Sequence, residues 1–255
     1  MTYYDDTGHA YNRTRVPDER IARLIDDALG DAASVVNVGA GTGAYEPAGR
    51  QVLAVEPSAA MRAARPPGAA PVIDACAEAL PLADKSFDAA LAVLTVQHWR
   101  DVRAGLAELR RVARRRIVIL TWDPEFPDAL WFTAHYLPAI RVHDRVCFPR
   151  LADIAAVLGR LDVTAVPIPH DCTDGFLGSH WRRPHGYLDP AVRAGMSGFS
   201  RLAEGEADAA LARLEADLRS GEWERRFGHL RSLEQMDLGY RLLVAEPGSG
   251  SRARI

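Results

Sequence analysis

The chain lacks most of the features that mark secreted, membrane-spanning or metal-binding proteins. Its 255 residues include three cysteines without Cys-x-x-Cys spacing, a usage typical of a reduced compartment and without a zinc pattern. No uncharged apolar run of 18 residues is present, and the first residues lack the basic and apolar blocks of a signal peptide. We therefore expect a cytoplasmic protein with no metal site and no membrane partner.

A basic excess is also missing. The net charge is −3, whereas proteins that follow nucleic-acid phosphates usually carry excess positive charge. Five arginines do cluster in segment 110–116, but they come where a predicted helix ends, and cations stabilise a helix C-terminus. We therefore interpret the cluster as a solvated face and expect no nucleic-acid partner.

The most informative segment that is present spans residues 36–44 and reads Val-Asn-Val-Gly-Ala-Gly-Thr-Gly-Ala. Gly39, Gly41 and Gly43 follow an apolar strand, and residues without a Cβ let the chain turn sharply against a ligand. A strand, a glycine turn and a helix N-terminus together form a cradle for nucleotide-type ligands. The same residues also fit the dinucleotide pattern G-x-G-x-x-G/A, so the turn alone leaves the identity of the nucleoside open.

The next predicted strand, 51–55, ends at an acidic residue. Glu56 lies 13 residues after Gly43, where a carboxylate can accept hydrogen bonds from both ribose hydroxyls of NAD or of S-adenosylmethionine. Two further segments narrow the choice. Residues 56–61 read Glu-Pro-Ser-Ala-Ala-Met, and residues 77–88 read Ala-Glu-Ala-Leu-Pro-Leu-Ala-Asp-Lys-Ser-Phe-Asp.

In this order and spacing, the three segments resemble the class I S-adenosylmethionine-dependent methyltransferases, in particular their small-molecule branch (methyltransferase type 11). The resemblance is close over residues 1–122 and covers the remainder only in outline. It implies an α/β fold, a doubly wound seven-stranded Rossmann-like sheet of order 3-2-1-4-5-7-6 whose last strand is antiparallel. The alternation of apolar strands and amphipathic helices favours the same class of fold.

The hydrophobic pattern also divides the chain. It predicts a helix at 17–29 that starts at Pro17, a helix after the N-cap Asp101, and strands at 34–38, 51–55, 71–73, 87–94, 116–121, 161–168 and 240–245. The expected units are an N-terminal arm (1–16), a cofactor-binding core (17–122), a helical insertion (123–160), a core strand (161–168), a helical cap insertion (169–238), the last core strand (239–246) and a disordered tail (247–255). Both insertions follow strand ends at the edge where such sheets bind ligands, so we expect them to form a lid.

The resemblance implies S-adenosylmethionine as the cofactor and a set of contacts to it. Tyr11 and Arg15 would form part of the lid, with Arg15 pairing the methionine carboxylate, and Met61 would lie against the adenine. Asn37 and Cys76 each replace a common aspartate of the family. The implied contacts are Tyr11, Arg15, Gly39, Ala40, Gly41, Gly43, Glu56, Pro57, Met61, Cys76, Ala77, Glu78, Leu94 and Thr95.

Fewer sequence features indicate which residues bind or activate the methyl acceptor. His98 follows the fourth strand, whose end faces the transferred methyl group in the family, and His170 follows a later strand beside Asp171. An imidazole of ordinary pKa suits a base that takes a hydroxyl proton, so both histidines are catalytic candidates. His98 comes first, as a base or as a donor that orients the substrate, and His170 second. Aromatic, basic and imidazole side chains in the insertions are the predicted contacts to a small, planar or aromatic acceptor: Trp122, His135, Tyr136, His143, Trp181 and Arg182.

Three alternatives stay open at this point. The chain could bind the cofactor without transferring a methyl group, it could be an NAD-dependent Rossmann oxidoreductase with the same glycine turn, or it could methylate RNA or protein. The pattern also leaves open whether oxygen, nitrogen or carbon accepts the methyl group, and how many copies of the chain associate.

Overall fold

The computed structural model describes residues 14–248, so the predicted contact Tyr11, most of the N-terminal arm and most of the predicted tail lie outside the described residues. The strands are β1 Ser34–Val38, β2 Gln51–Val55, β3 Val72–Ile73, β4 Phe87–Val93, β5 Ala113–Trp122, β6 Asp162–Ala165, β7 Ile168–Pro169, β8 Gln235–Met236 and β9 Tyr240–Ala245. The α-helices are α1 Glu19–Leu29, α2 Ala59–Ala63, α3 Val102–Val112, α4 Pro138–Cys147, α5 Leu151–Leu158, α6 Pro190–Arg193, α7 Asp208–Ser220 and α8 Glu222–Phe227. The structure also has a π-helical turn, Phe132–Tyr136, and 3₁₀ turns at Val96–His98, Leu177–His180, Pro184–Tyr187, Phe199–Arg201 and Gly228–Ser232.

Seven strands form the main sheet in the order β3-β2-β1-β4-β5-β9-β6. The pairs that join β3, β2, β1, β4 and β5 are parallel, and β9 is antiparallel to both of its neighbours, β5 and β6. Because β7 and β8 pair in a separate small sheet, β9 is the seventh strand of the main sheet in chain order. The predicted order 3-2-1-4-5-7-6 is therefore confirmed.

Successive residues of each central strand enter two different cores, as the period of two in a strand requires. On β4, Ala89 and Leu91 join the core that contains α1 and the cap, whereas Ala90 and Ala92 join the core that contains α3 and α5. All four side chains are fully buried. Burial on both faces explains why these strands read as continuous apolar runs.

β5 begins at Ala113, three residues before the predicted start. Two further boundaries that were wrong are explained by proline and capping chemistry. Helix α1 begins at Glu19, because the Asp18 side chain accepts a hydrogen bond from the Arg20 backbone at 3.0 Å and so caps the helix two residues after the predicted start. The predicted strand 161–168 is split between β6 and β7. Pro167, which lies between them, has no N–H to donate to a ladder.

The segments inserted after β5 and β7 build a cap with its own aromatic core. The indole of Trp131 packs edge-on against Phe132, Tyr187 and Trp223 at centroid distances of 5.3–5.8 Å, and Phe132 stacks on Tyr187 at 4.0 Å. These rings are all buried. Within residues 14–248, no helix is long and apolar enough to cross a membrane.

Candidate active site

A first cavity, hereafter the cofactor cavity, opens at the carboxyl ends of β1, β2 and β4. Its volume of about 390 Å³ lies in the range of small-molecule sites. The predicted residues in its wall are Arg15, Gly39, Ala40, Gly41, Glu56, Pro57, Met61, Cys76, Ala77, Glu78, Leu94 and Thr95. The topology thus brings twelve of the implied contacts to one place, although they come from five separate segments.

The glycine turn forms the floor of this cavity. Gly39 and Ala40 each donate a backbone hydrogen bond to the Val55 carbonyl, at 2.8 and 3.0 Å. Gly39 has φ +70°, and a Cβ there would overlap with the Thr95 hydroxyl, whereas Gly41 has φ +53° and no protein atom within 4 Å of the position that its Cβ would take. The turn therefore presses against β4 at Gly39 and leaves open space for a ligand at Gly41.

Gly43, the third glycine of the motif, does not line the cavity. Its φ is +91°, and a Cβ there would meet Glu46 and Arg65 at 3.2–3.3 Å. The structure therefore does not bring Gly43 together with the other predicted contacts. Its backbone N–H donates to the Ala40 carbonyl at 2.9 Å and so closes the turn.

Glu56 lies at the end of β2 and is 7% exposed. One carboxylate oxygen accepts from the Gly41 backbone at 2.8 Å, and the other accepts from the Ser58 backbone at 2.9 Å. Burial raises the pKa of Glu56, opposed by these two backbone donors. Since each carboxylate oxygen can accept more than one hydrogen bond, the group is held in place and can still bind a diol.

Asn37 provides an independent test of whether the residues of this cavity fit S-adenosylmethionine. It is 3% exposed and lines the cavity, and its Oδ1 has no hydrogen-bond partner among the described residues. Buried polar atoms are rarely left without partners. An acceptor at this position matches the ammonium group of a methionine moiety, so the residues present fit S-adenosylmethionine.

The adenine side differs in detail from the family pattern. Cys76 is exposed and Met61 is buried, and both contribute to the wall. Glu78, however, accepts hydrogen bonds from the backbone of Arg100 and Asp101 at 2.7 and 3.2 Å, so it holds the start of α3. Asp74 was missed by the sequence interpretation although it also lines this end of the cavity.

Arg15 pairs with an aspartate of the cap. Its guanidinium donates to both oxygens of Asp174 at 2.5 and 3.2 Å, and Asp174 is fully buried. Asp174 also accepts from the Tyr45 hydroxyl at 3.0 Å. The structure thus gives Arg15 a protein carboxylate as its partner, whereas the resemblance implied a cofactor carboxylate.

A second cavity, hereafter the acceptor cavity, adjoins the first and shares Arg15, Leu94 and His98 with it. Its free volume is about 70 Å³. Leu94 has φ +49°, a conformation that is costly for a residue with a branched side chain and that is often found at functional sites. This strained residue directly follows β4 and lies in the walls of both cavities.

The walls of the acceptor cavity combine aromatic and apolar side chains with a comparable amount of polar surface. Trp122, Phe148, Phe176 and Tyr240 provide rings, and Trp122 and Phe148 meet edge to face at 5.4 Å. The cavity also includes charged residues that the sequence interpretation missed: Asp128, Arg141 and Asp144. Only tertiary packing brings these charges to the end of β4.

His98 stands in the wall between the cavities. His98 is an exposed residue because it opens onto both cavities, although neighbouring protein still desolvates its ring. Burial, helped by the charges of Arg201 and Arg15, lowers the pKa of His98 to about 3. Its Nε2 lies 3.2 Å from the Gln97 amide nitrogen, which can donate to it only if the ring is neutral. A lowered pKa makes His98 a weaker base than an ordinary imidazole.

The second catalytic candidate is placed elsewhere. His170 lies in the wall of neither cavity. Its Nδ1 lies 3.5 Å from a Glu234 carboxylate oxygen, and its neighbour Asp171 pairs with Arg20 at 2.8 Å. The small sheet of β7 and β8 holds this segment away from the site, so the structure does not support a catalytic role for His170.

Of the predicted acceptor contacts, Trp122 lines the acceptor cavity and the other five do not. Trp181 is fully buried and donates to the Ile168 carbonyl at 3.0 Å. The Tyr136 hydroxyl donates to Asp217 at 2.7 Å. These two residues stabilise the cap, because their polar atoms already have partners in its core.

The remaining three predicted contacts, His135, His143 and Arg182, are exposed or partly buried and line neither cavity. His135 is exposed and packs against Phe227 at 5.4 Å, and Arg182 donates to the Leu233 carbonyl at 3.0 Å. His143 belongs to α4, the helix that also carries Arg141 and Asp144, but unlike these two residues it does not line the acceptor cavity.

Comparisons with known proteins agree with this geometry. A family described as "Methyltransferase domain" matches residues 36–120. No curated protein matches the chain. The crystal structure of a protein from Anabaena variabilis, assigned as a methyltransferase of an antibiotic biosynthesis pathway, is similar with 33% identity and a TM-score of 0.85, over 91% of this chain and 98% of that one.

Two more distant structures share the fold. An S-adenosylmethionine-dependent methyltransferase from Thermotoga maritima has 16% identity and a TM-score of 0.52, over 89% of this chain and 86% of that one. A protein from Bacillus halodurans, also assigned as a methyltransferase, has 14% identity and a TM-score of 0.52, over 90% and 99% of the two chains. Identity to the Anabaena protein over nearly its whole length decides the family. The chain belongs to the class I S-adenosylmethionine-dependent methyltransferases, and S-adenosylmethionine is its cofactor.

Proposed function

We propose that the protein transfers the methyl group of S-adenosylmethionine to a small, planar or aromatic molecule bound in the acceptor cavity. The observation that carries this proposal is the shared wall of the two cavities at Arg15, Leu94 and His98. A methyl donor in one cavity and an acceptor in the other would meet at the end of β4. The aromatic rings of the acceptor cavity support a planar acceptor, since flat molecules pack well against such rings.

On the cofactor side, the chain's own residues bind and orient. Glu56 would accept the two ribose hydroxyls, Asn37 Oδ1 would accept from the methionine ammonium, and Met61 would lie against the adenine. When bound, the cofactor supplies a methyl group on a sulfonium, whose leaving group is a neutral thioether. Orientation in line and exclusion of water are then the protein's main contributions.

On the acceptor side, His98 orients the substrate and is not its base. A ring with so low a pKa stays neutral near pH 7 and has little affinity for a proton, although it can donate and accept hydrogen bonds. The free thiols of Cys76, Cys147 and Cys172 support a cytoplasmic location, which is part of the same proposal.

The test combines binding and transfer. Calorimetry with S-adenosylmethionine, S-adenosylhomocysteine and NAD should show binding of the first two only. Label from methyl-labelled cofactor should then appear in small aromatic compounds. Ala129→Trp, which fills the acceptor cavity, should abolish transfer while leaving the affinity for S-adenosylhomocysteine unchanged.

The matched control is Ala209→Trp on an exposed face of α7, which should change neither property. Unchanged transfer in Ala129→Trp would place the acceptor elsewhere. Cofactor binding without transfer to any compound would favour a binding protein that does not methylate.

A further inference from the structure

The acid Asp144 on α4 is the chemical group of the acceptor cavity that the proposed function leaves unexplained. It lies in the wall of the cavity that Leu94 and His98 also line, and its side chain is 13% exposed. Its Oδ1 accepts from the Arg201 guanidinium at 2.7 Å, and within residues 14–248 no group donates to Oδ2. One oxygen is thus fixed by an ion pair, while the other can still accept a hydrogen bond.

The hydroxyl of Tyr240 provides a complementary donor in the same cavity. Its oxygen accepts from the Gly178 backbone at 3.3 Å, and no described residue accepts its proton. Tyr240 is 9% exposed and lines the cavity, and the charge of Asp144 acts on its hydroxyl. The cavity therefore offers one free acceptor and one free donor, held among rings and leucines.

The charges around the cavity are balanced. Two arginines, Arg15 and Arg141, and two aspartates, Asp128 and Asp144, line it. Each has an ion-pair partner, in the pairs Arg15–Asp174 at 2.5 Å, Arg201–Asp144 at 2.7 Å and Arg141–Asp128 at 3.7 Å. Among the described residues, the cavity has neither a cation left over for a carboxylate or phosphate nor an anion left over for an ammonium. Burying an unpaired charge is costly, so the balance selects an acceptor without net charge.

From these contacts we propose, on the basis of the proposed methyl transfer, that the acceptor is a neutral planar hydroxy compound and that Asp144 takes its hydroxyl proton. The acceptor O–H bond breaks and its proton passes to Asp144 Oδ2. A new bond forms between the acceptor oxygen and the methyl carbon. The bond from that carbon to sulfur breaks with its electron pair left on sulfur, so a sulfonium and a carboxylate become a thioether and a carboxylic acid.

The environment of Asp144 suits this role. Burial raises the pKa of Asp144 to about 6, opposed by Arg201, His143 and Arg141, so it binds a proton more readily than an ordinary aspartate. The titratable and charged groups that face it are Arg201 of the cap, Tyr240 of β9, and Arg141 and His143 of its own helix. Arg201 acts as a positioning residue, because it fixes the carboxylate from a segment 57 residues away.

The experiment compares acceptor panels and variants of the full-length protein. Methyl transfer from S-adenosylmethionine is measured with single-ring phenols, the matching benzoates and the matching benzylamines. We expect phenols alone to be methylated, on oxygen. Asp144→Asn should lower kcat by roughly 10²–10⁴-fold, with unchanged affinity for S-adenosylhomocysteine and with loss of the limb near pH 6 from the kcat/KM profile. Asp144→Glu should restore part of the rate.

The control is Glu46→Gln, since Glu46 is an ion-paired acid of similar exposure, 10%, outside both cavities. It should retain the wild-type rate and pH profile. Transfer to benzoates or benzylamines alone would overturn this inference and leave the proposed methyl transfer standing. A full rate in Asp144→Asn, or an unchanged pH profile, would also overturn it. Normal cofactor binding with no transfer to any panel would contradict the proposed function as well.

Discussion

The two cavities are built in different ways, although they share a wall. The cofactor cavity is formed largely by backbone turns directly after β1, β2 and β4, so the sheet fixes its shape. The acceptor cavity is formed by side chains from the ends of β5 and β9 and from separate segments of the cap. A site made of strand ends keeps its geometry when single side chains change, whereas a site made of packed side chains can change its specificity one residue at a time.

The largest effect is expected from removing the ion pair between Asp174 and Arg15, the arginine that lines both cavities. Arg15→Met would leave the fully buried Asp174 without its cation, and breaking a buried pair in this way costs about 3–5 kcal/mol of unfolding free energy. Urea denaturation measures the loss. The double variant with Asp174→Asn should recover most of it, because the introduced amide carries no charge and its oxygen can still accept from Tyr45.

The same pair of variants decides what Arg15 does for the cofactor. If affinity for S-adenosylhomocysteine returns together with stability in the double variant, Arg15 acts through the fold. If the protein is stable and the affinity stays low, Arg15 binds the methionine carboxylate, as the family resemblance implies.

A smaller effect is expected within the cofactor cavity at Gly39. Gly39→Ala places a Cβ against Thr95 at a φ of +70°, and overpacking together with a left-handed backbone should cost about 2–4 kcal/mol of unfolding free energy. Gly68→Ala is the control, since Gly68 has φ +86° and no neighbour within 4 Å. It should lose only about 1 kcal/mol, from the backbone alone. Equal losses in the two variants would contradict the close contact with Thr95.

The third prediction concerns Glu56, which follows β2 and is expected to provide the main polar contact to the cofactor ribose. Glu56→Ala should weaken binding of S-adenosylhomocysteine by about 1.5–3 kcal/mol, because it removes a charged hydrogen-bond acceptor. Calorimetry measures the change. Glu108→Gln is the control, since Glu108 also accepts from a backbone N–H, that of Leu80, but lies outside both cavities. Unchanged affinity in Glu56→Ala would refute the ribose assignment.

The contrast between the cavities also explains what the sequence could predict. Gly39 and Glu56 follow apolar strands directly, so the local pattern places them at the edge of the sheet, and twelve implied contacts do line one cavity. Trp122 and Trp181 are the same residue type in similar apolar surroundings, yet one lines the acceptor cavity and the other is fully buried in the cap. Only the packing of distant segments distinguishes them.

The position of Asp144 in the acceptor cavity could not be predicted from the local sequence either. It stands in a helix with arginines on both sides in sequence, Arg141 and Arg145, a pattern typical of a solvated helix face. Its burial depends on Arg201, which no local pattern connects to it. A site assembled by the cap therefore needs the structure, whereas a site assembled by the sheet can be found from the sequence.

The smallest expected effect concerns His98, on the wall between the regions. Its pKa in the folded protein, about 3, lies below the ordinary value of 6.5, so below pH 6.5 the unfolded chain binds a proton that the folded protein does not. The His98 contribution to the free energy of unfolding is complete above pH 6.5 and is lost as the pH falls towards 3. His98→Gln, which cannot bind a proton, should lose less stability over this range than the wild type.

Denaturation at several pH values gives the slope of unfolding free energy against pH for the wild type and for His98→Gln. Asp144 contributes equally to both slopes, so their difference reports the titration of His98. The variant should also methylate at a rate within about tenfold of the wild type, because an orienting hydrogen bond contributes little more than about 1 kcal/mol. Equal slopes would mean that His98 titrates normally in the folded protein. A methylation rate lowered 10²-fold or more, together with equal pH dependence of stability in the two proteins, would indicate that His98 is the base. The acceptor proton would then pass to His98 and not to Asp144.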